Sequence, residues 1–179
     1  LYSIYVQSAQ NFEVVDGWID GRVIVLNGQN ASLVNVSYGM NNVDAEKGQG
    51  RIYRKWKYGA IARHRDGAPM QGVQVSIYDS SGVNVVNLAT GASGETEVIY
   101  LTDYVYKNGA RTYYNYTINA TYQGIVKTHN LVLHDNFVDD IFDFSEFPVQ
   151  SPGINCPFSQ GESVSSSLKC AILKKQNVN

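Results

Sequence analysis

Tyr114-Asn115-Tyr116-Thr117-Ile118-Asn119-Ala120-Thr121-Tyr122 places Tyr, Tyr, Ile, Ala and Tyr at even positions and Asn, Thr, Asn and Thr at odd ones. A period of two separates an apolar face from a polar face, the pattern of a half-buried β-strand. The stretch holds two Asn-x-Thr sequons, at Asn115 and Asn119, and the alternation turns both asparagines toward water. At about 3.3 Å per residue they would stand roughly 13 Å apart along one strand, room for two glycans side by side. Two more sequons occur at Asn30-Ala31-Ser32 and Asn35-Val36-Ser37. Val34, Val36 and Tyr38 put Asn35 on a polar face. All four asparagines are glycosylation candidates of an exported chain.

Elsewhere in the chain the same alternation recurs and helical periodicity does not. No stretch repeats apolar residues at i, i+3, i+4 and i+7 for three turns. Strands are expected over 2–7, 12–15, 22–26, 32–38, 51–63, 73–78, 83–88, 96–106, 111–122, 125–133, 138–144 and 168–173. Asn27-Gly28, Asn108-Gly109 and Gln123-Gly124 each read as a hairpin turn. The fold class is all-β. Pro148, Pro152 and Pro157, set among Ser and Gly, mark the end of regular pairing.

Composition removes several function classes. Charged residues make up 17% of the chain, below the usual share of about 25%. A net charge of −2 with no basic stripe gives no reason to expect nucleic acid. No apolar run approaches the roughly 20 residues of a membrane span. The chain opens at Leu1, for which a cleaved secretory leader is the expected reason. Cys156 and Cys170 enclose a short, Ser-rich loop and are expected to pair, which requires an oxidising compartment.

Gly67-Ala68-Pro69-Met70-Gln71-Gly72-Val73-Gln74-Val75-Ser76-Ile77-Tyr78-Asp79-Ser80-Ser81-Gly82, followed by Thr90-Gly91-Ala92-Ser93-Gly94, resembles the carboxypeptidase regulatory-like, or transthyretin-like, β-sandwich domain. Pro69 presets a turn, Gly72 ends it, Val73, Val75 and Ile77 line one face, and Gly82 and Gly94 supply positive-φ turns. The resemblance covers roughly residues 58–135. It implies an Ig-like sandwich that serves as a spacer or accessory module, of a kind found in prokaryotic, including archaeal, cell-surface proteins. Residues 1–57 do not match it. Phe12 to Val25 has the look of one β-helix rung, but one turn without a repeat is no solenoid, so this segment reads as additional N-terminal sandwich strands. The expected organisation is 1–57 as an N-terminal β segment, 58–147 as the sandwich and 148–179 as a disulfide-stapled C-terminal segment.

Catalytic chemistry finds little support. His64, His129 and His134 are the three imidazoles, and none pairs with Cys or Glu at a ligand spacing. No nucleophile elbow, phosphate loop or dinucleotide fingerprint appears. The acids Asp135, Asp139, Asp140, Asp143 and Glu146 interleave with Phe137, Ile141, Phe142, Phe144 and Phe147, which reads as an amphipathic strand with wet acids rather than a Ca²⁺ loop. Exposed Trp18, Trp56 or Tyr side chains could stack on sugar rings. The expectation is therefore a non-enzymatic structural subunit of an extracellular glycosylated assembly, without cofactor or metal. It would be a pilus-like filament of identical subunits or a surface-layer element. The alternative is a carbohydrate-binding or adhesion module of a larger secreted protein. Residues 1–8 are the candidate donor strand, with Tyr2, Ile4 and Val6 filling pockets on a neighbour.

Overall fold

The computed structural model describes residues 4–6, 11–26, 29–39, 43–45 and 50–147. Tyr2, Cys156, Cys170 and the rest of 148–179 lie outside the described residues. The described chain is all-β: β1 (Ile4–Val6), β2 (Phe12–Ile19), β3 (Val23–Val25), β4 (Asn30–Tyr38), β5 (Val43–Ala45), β6 (Arg51–Arg63), β7 (Gln74–Asp79), β8 (Asn84–Ala89), β9 (Ile99–Lys107), β10 (Ala110–Tyr113), β11 (Asn115–Tyr122), β12 (Ile125–Val132) and β13 (Phe137–Asp143).

The first six strands alternate between two sheets. β1, β3 and β5 make a three-stranded parallel sheet, whereas β2, β4 and β6 lie parallel within a six-stranded one. Each pair of strands is thus one rung of a coil, and three rungs stack. Ile4 faces Val23 and Val23 faces Val43, offsets of 19 and 20 residues. Phe12 faces Ala31 and Ala31 faces Ile52, offsets of 19 and 21. The additional N-terminal strands are present as expected, but they build a parallel stack rather than more of the sandwich, which corrects the dismissal of a repeat. The repeat conserves apolar placement rather than residue identity, so no motif recurs. Val6, Val23 and Val25 meet Ala31, Leu33, Val36 and Ile52 in the core between the two sheets. Gly50 lets the third rung pass, because a Cβ there would fall 2.7 Å from the Val25 carbonyl oxygen.

The expected hairpin at Asn27-Gly28 is also corrected. Asn27 and Gly28 themselves lie outside the described residues, but β3 and β4 do not pair; they belong to different sheets. The strand expected over 111–122 is split at Tyr114. Its first part is β10, on β9, and its second is β11, in the four-stranded sheet β12-β11-β7-β8. The Tyr114 N–H is held at the switch by the Asp103 carbonyl, 2.8 Å away. By contrast, Asn108-Gly109 and Gln123-Gly124 close hairpins with positive φ at both residues, as two-residue type I′ turns require. Gly82 and Gly94 adopt the positive φ expected of them, and Gly72, expected only to end the Pro69 turn, has positive φ as well.

β6 joins the two architectures. Its first half is the third rung, bonded to β4, and its second half carries β13 in parallel. Its even residues face inward: Ile52 enters the core of the stack, while Trp56, Tyr58, Ala60 and Ala62 enter the sandwich core. There they meet Val75 and Ile77 of β7 and Ile118 and Ala120 of β11. The expected boundary at 57/58 therefore falls inside one continuous strand. On the opposite side of β6, β9 runs antiparallel along Ile52–Tyr58 and covers the last rung. β2 is the edge at the other end.

Candidate functional site

The four-stranded sheet positions the central sequons. Tyr116, Ile118 and Ala120 point into the core and Asn115, Thr117 and Asn119 point out, as the alternation requires. β11 is an interior strand, so both asparagines stand on a sheet face. Asn119 pairs with Ser76 on one side and Thr128 on the other, and its Oδ1 accepts from the Thr128 hydroxyl at 2.8 Å. That bond uses the oxygen and leaves the nitrogen, the atom a glycan would take, outside it. Thr117 donates to Asn130 Oδ1 at 3.3 Å, and Asn84 and Asn87 bond reciprocally at the β8 edge. The register gives every outward position of β7, β8, β11 and β12 to an uncharged residue; no Asp, Glu, Lys or Arg is among them.

Asn35 has a different setting. It adopts φ 50°, directly beside Asp16 at φ 51° on the rung before it. Asn and Asp tolerate this left-handed conformation better than other non-glycine residues. The Asn35 Nδ2 donates to Asp16, and its Oδ1 accepts from Asn136 Nδ2 at 2.6 Å. Lys57 Nζ reaches Asp16 at 3.0 Å. These bonds hold the Asp16 carboxyl below its ordinary pKa, the Asn35 amide first and Lys57 second. The sequon nitrogen at Asn35 is thus part of a polar ladder across successive rungs. Asn30 lies half-buried at the start of β4.

Between the two cores lies a charged seam that sequence reading missed. Arg54 Nε sits 3.4 Å from Asp103 Oδ2, and the guanidinium stacks 4.3 Å above Trp56. The register of β9 against β6 slips between Arg54 and Lys55, leaving Asp103 as an extra residue of β9. A bulge of this kind re-aims a side chain, and here it sends a carboxylate inward. Trp56 Nε1 donates to Asp103 Oδ2 at 3.3 Å. Burial pushes the Asp103 carboxyl above the usual carboxylate range, outweighing Arg54, the Trp56 bond and His134. Tyr38 and Tyr104 share a hydroxyl hydrogen bond alongside. Trp56, a candidate for sugar stacking, is therefore a core residue at 2% exposure, whereas Trp18 is 71% exposed.

The histidines all find partners. His129 Nδ1 is 2.7 Å from Asp140 Oδ1, whose other oxygen accepts from the Tyr58 hydroxyl at 2.7 Å. His64 contacts the Phe147 carbonyl and His134 lies 3.8 Å from Asp103. Asp140 is buried while Ile141 is exposed, which corrects the expectation that every acid of this strand stays wet. The reason is that Tyr58 and His129 offer Asp140 two hydrogen bonds inside. Among the described residues no group of three or more His, Cys, Asp and Glu is arranged to hold a metal, and no helix is long and apolar enough to cross a membrane. Of the candidate donor strand, Ile4 and Val6 are described. They pair with Val23 and Val25 of their own chain, and Val6 is buried.

No family model matches the chain, and no curated protein matches it. Among solved structures, 50% of the chain aligns with 28% of the major pilin subunit of Bacillus cereus, at 16% identity and a TM-score of 0.39. A further match pairs 56% of the chain with 18% of the Bacillus anthracis TIE protein, at 13% identity and a TM-score of 0.38. The chain spans less than a third of either structure, and at these scores neither likeness fixes a shared topology or a role.

Proposed function

We propose that this chain is a structural module of an extracellular, glycosylated assembly, whose task is to hold shape and present a sugar-bearing sheet face. The observation that carries the reading is the outer face of the four-stranded sheet. It is uncharged throughout, rich in hydroxyls and amides, and carries Asn115 and Asn119 on an interior strand, where a rigid backbone would hold two glycans side by side. The weld through β6 supports the same reading, since one continuous strand transmits load between stack and sandwich. The positive-φ glycines and the β7–β8 hairpin are consistent with the resemblance of residues 58–135 to a carboxypeptidase regulatory-like module.

A pilus-like fibre and a surface layer are the two forms such an assembly would take. Strand donation by residues 1–8 would first have to detach Val6 from the core of its own stack. Peptide mass spectrometry of native material tests the proposal: glycans are expected on Asn115 and Asn119, and unmodified peptides at both would overturn it. Electron microscopy of the same material would separate fibres from sheets.

A further inference from the structure

The outer face of the parallel stack holds a groove that the structural role does not use. Its cavity measures about 540 Å³ and is lined by Asn11 just before the first rung's β2 and Glu13 on it, Asn30 and Ser32 on the second rung, and Tyr53 and Lys55 on the third. Glu13, Ser32 and Tyr53 are direct neighbours across the ladder. Thr102 of β9, opposite Lys55, closes the far side. Three strand spacings of about 4.8 Å make the groove about 14 Å long across the strands, the reach of a short oligosaccharide.

We propose that this groove binds a neutral oligosaccharide. Its chemistry selects that class. The Asn11 and Asn30 amides and the Ser32 and Thr102 hydroxyls offer paired donors and acceptors to sugar hydroxyls, and Tyr53 brings a ring on which a sugar face can pack. Glu13 and Lys55 oppose one another in charge, so a phosphate-bearing or strongly acidic ligand would meet a carboxylate as well as an ammonium. Among the described residues Tyr53 is the sole aromatic side chain of the lining and no aliphatic one joins it, which disfavours a lipid or an apolar peptide. Two further aromatic rings stand exposed on the same sheet face. Trp18 is opposite Ser37 at the edge strand, and Tyr100 is opposite Lys57 on β9. They would extend the platform beyond the groove. Because every lining residue sits in or against a strand of one sheet, the backbone that carries the groups is set before binding, which limits the ordering cost to side chains. The volume also falls within the range of small-ligand sites. This proposal does not depend on the structural role or on glycosylation elsewhere.

The test uses the full chain produced without glycosylation, so that no sugar on Asn30 can occupy the groove. Cellohexaose, xylohexaose, mannohexaose and chitohexaose are titrated separately while amide chemical shifts are followed. At least one hexasaccharide should move the amides of Glu13, Ser32, Tyr53 and Lys55. Tyr53→Ala should weaken that binding about tenfold, the size of one aromatic contact, and Tyr53→Phe should leave it nearly unchanged. Ser32→Trp, which fills the groove from the middle rung, should abolish it and serves as the readout should Tyr53→Ala fail to fold. Absence of shifts with all four sugars, shifts confined to another surface, or undiminished binding in Ser32→Trp would each overturn the proposal.

Discussion

The parallel stack and the antiparallel sandwich solve one problem in two ways. Each must hide one apolar face of its strands, and each does so against a second sheet. In the sandwich, neighbouring strands are often joined by two-residue turns, so β9 finds β10 and β11 finds β12 within a few residues of chain. Among the described strands of the stack none pairs with its successor, and each partner arrives a full rung later, at offsets of 19 to 21 residues. The hairpins fix register at the turn; the stack fixes it by piling apolar residues on apolar residues and αL residues inside its strands on one another, as Asp16 of β2 and Asn35 of β4 do. The two regions are therefore vulnerable at different points. A sandwich hairpin can form locally, whereas a rung gains little until its neighbour is in place.

β6 decides whether these regions unfold as one, and core truncations give the largest effects. Phe142→Ala empties a fully buried ring site in the sandwich core and Leu33→Ala empties a buried aliphatic site in the stack. Losses of about 3–5 and 2–5 kcal/mol are expected. Because β6 feeds both cores, each variant should still show a single urea transition, coincident by far-UV circular dichroism and Trp fluorescence. A separate early transition in Leu33→Ala would break the weld and make the stack an independent unit.

The same contrast explains what could be read from the sequence. The sandwich was legible because its signals are local: alternation over 114–122, Asn108-Gly109, Gln123-Gly124, and glycines where φ is positive. The stack was not, because its rungs share only apolar spacing. Phe12, Ala31 and Ile52 occupy one position of the ladder, yet nothing in Phe, Ala and Ile signals a repeat. The seam was invisible for another reason. Asp103 reads as a polar residue of an alternating strand, and only the slip opposite Arg54 turns it inward. Its partner His134, like the pairing of His129 with Asp140, depends on contacts between sheets that spacing along the chain cannot reveal. Asn115 and Asn119 were placed correctly on an outward face because strand alternation alone determines it.

Glycines carry the contrast to a smaller scale. Gly94, in the sandwich, has φ +77°, and a Cβ there would lie 2.6 Å from the Ala62 carbonyl oxygen and 3.0 Å from Pro69. Gly94→Ala should cost about 2–3 kcal/mol. Gly17, on the edge strand of the stack, has no positive φ, and a Cβ added there would meet no atom within 4 Å. Gly17→Ala should stabilise the protein by about 0.4–1 kcal/mol through the unfolded chain. Thermal denaturation decides both, and a loss at Gly17 would mean the edge strand needs glycine's freedom after all.

Acid–base behaviour separates the seam from the sandwich surface. The Asp103 carboxyl is raised by burial, so its contribution to stability is full below the unfolded carboxylate pKa and is lost as pH rises through the folded value. Asp143 is lowered by its bond to Arg63, so its contribution is present above the unfolded pKa and is lost as pH falls through the folded value. Relative to wild type, Asp103→Asn should therefore gain as pH is raised from acid toward neutral, and Asp143→Asn should lose over the same range. Urea midpoints measured across that range check the signs. Parallel slopes in the two variants would show that Arg54, rather than burial, governs Asp103.

A finer contrast tests the polar ladder itself. Asn35 contributes two things to the stack: tolerance of φ 50° and the bonds to Asp16 and Asn136. Asn35→Gly keeps the first and removes the second, while Asn35→Ala removes both. Asn35→Ala should cost about 1–2 kcal/mol and Asn35→Gly about 0.5–1 kcal/mol, both read from urea denaturation. Equal losses would assign the whole effect to the side-chain bonds, and no loss in either would leave register to the apolar core alone. The same ladder bears on modification. A glycan at Asn35 would be attached to the nitrogen that donates to Asp16, whereas at Asn119 the bond to Thr128 uses only the oxygen. Glycan occupancy at Asn35 should therefore fall below that at Asn119 in native material, and occupancy at or above the Asn119 level would show that the bond to Asp16 does not restrict access to that nitrogen.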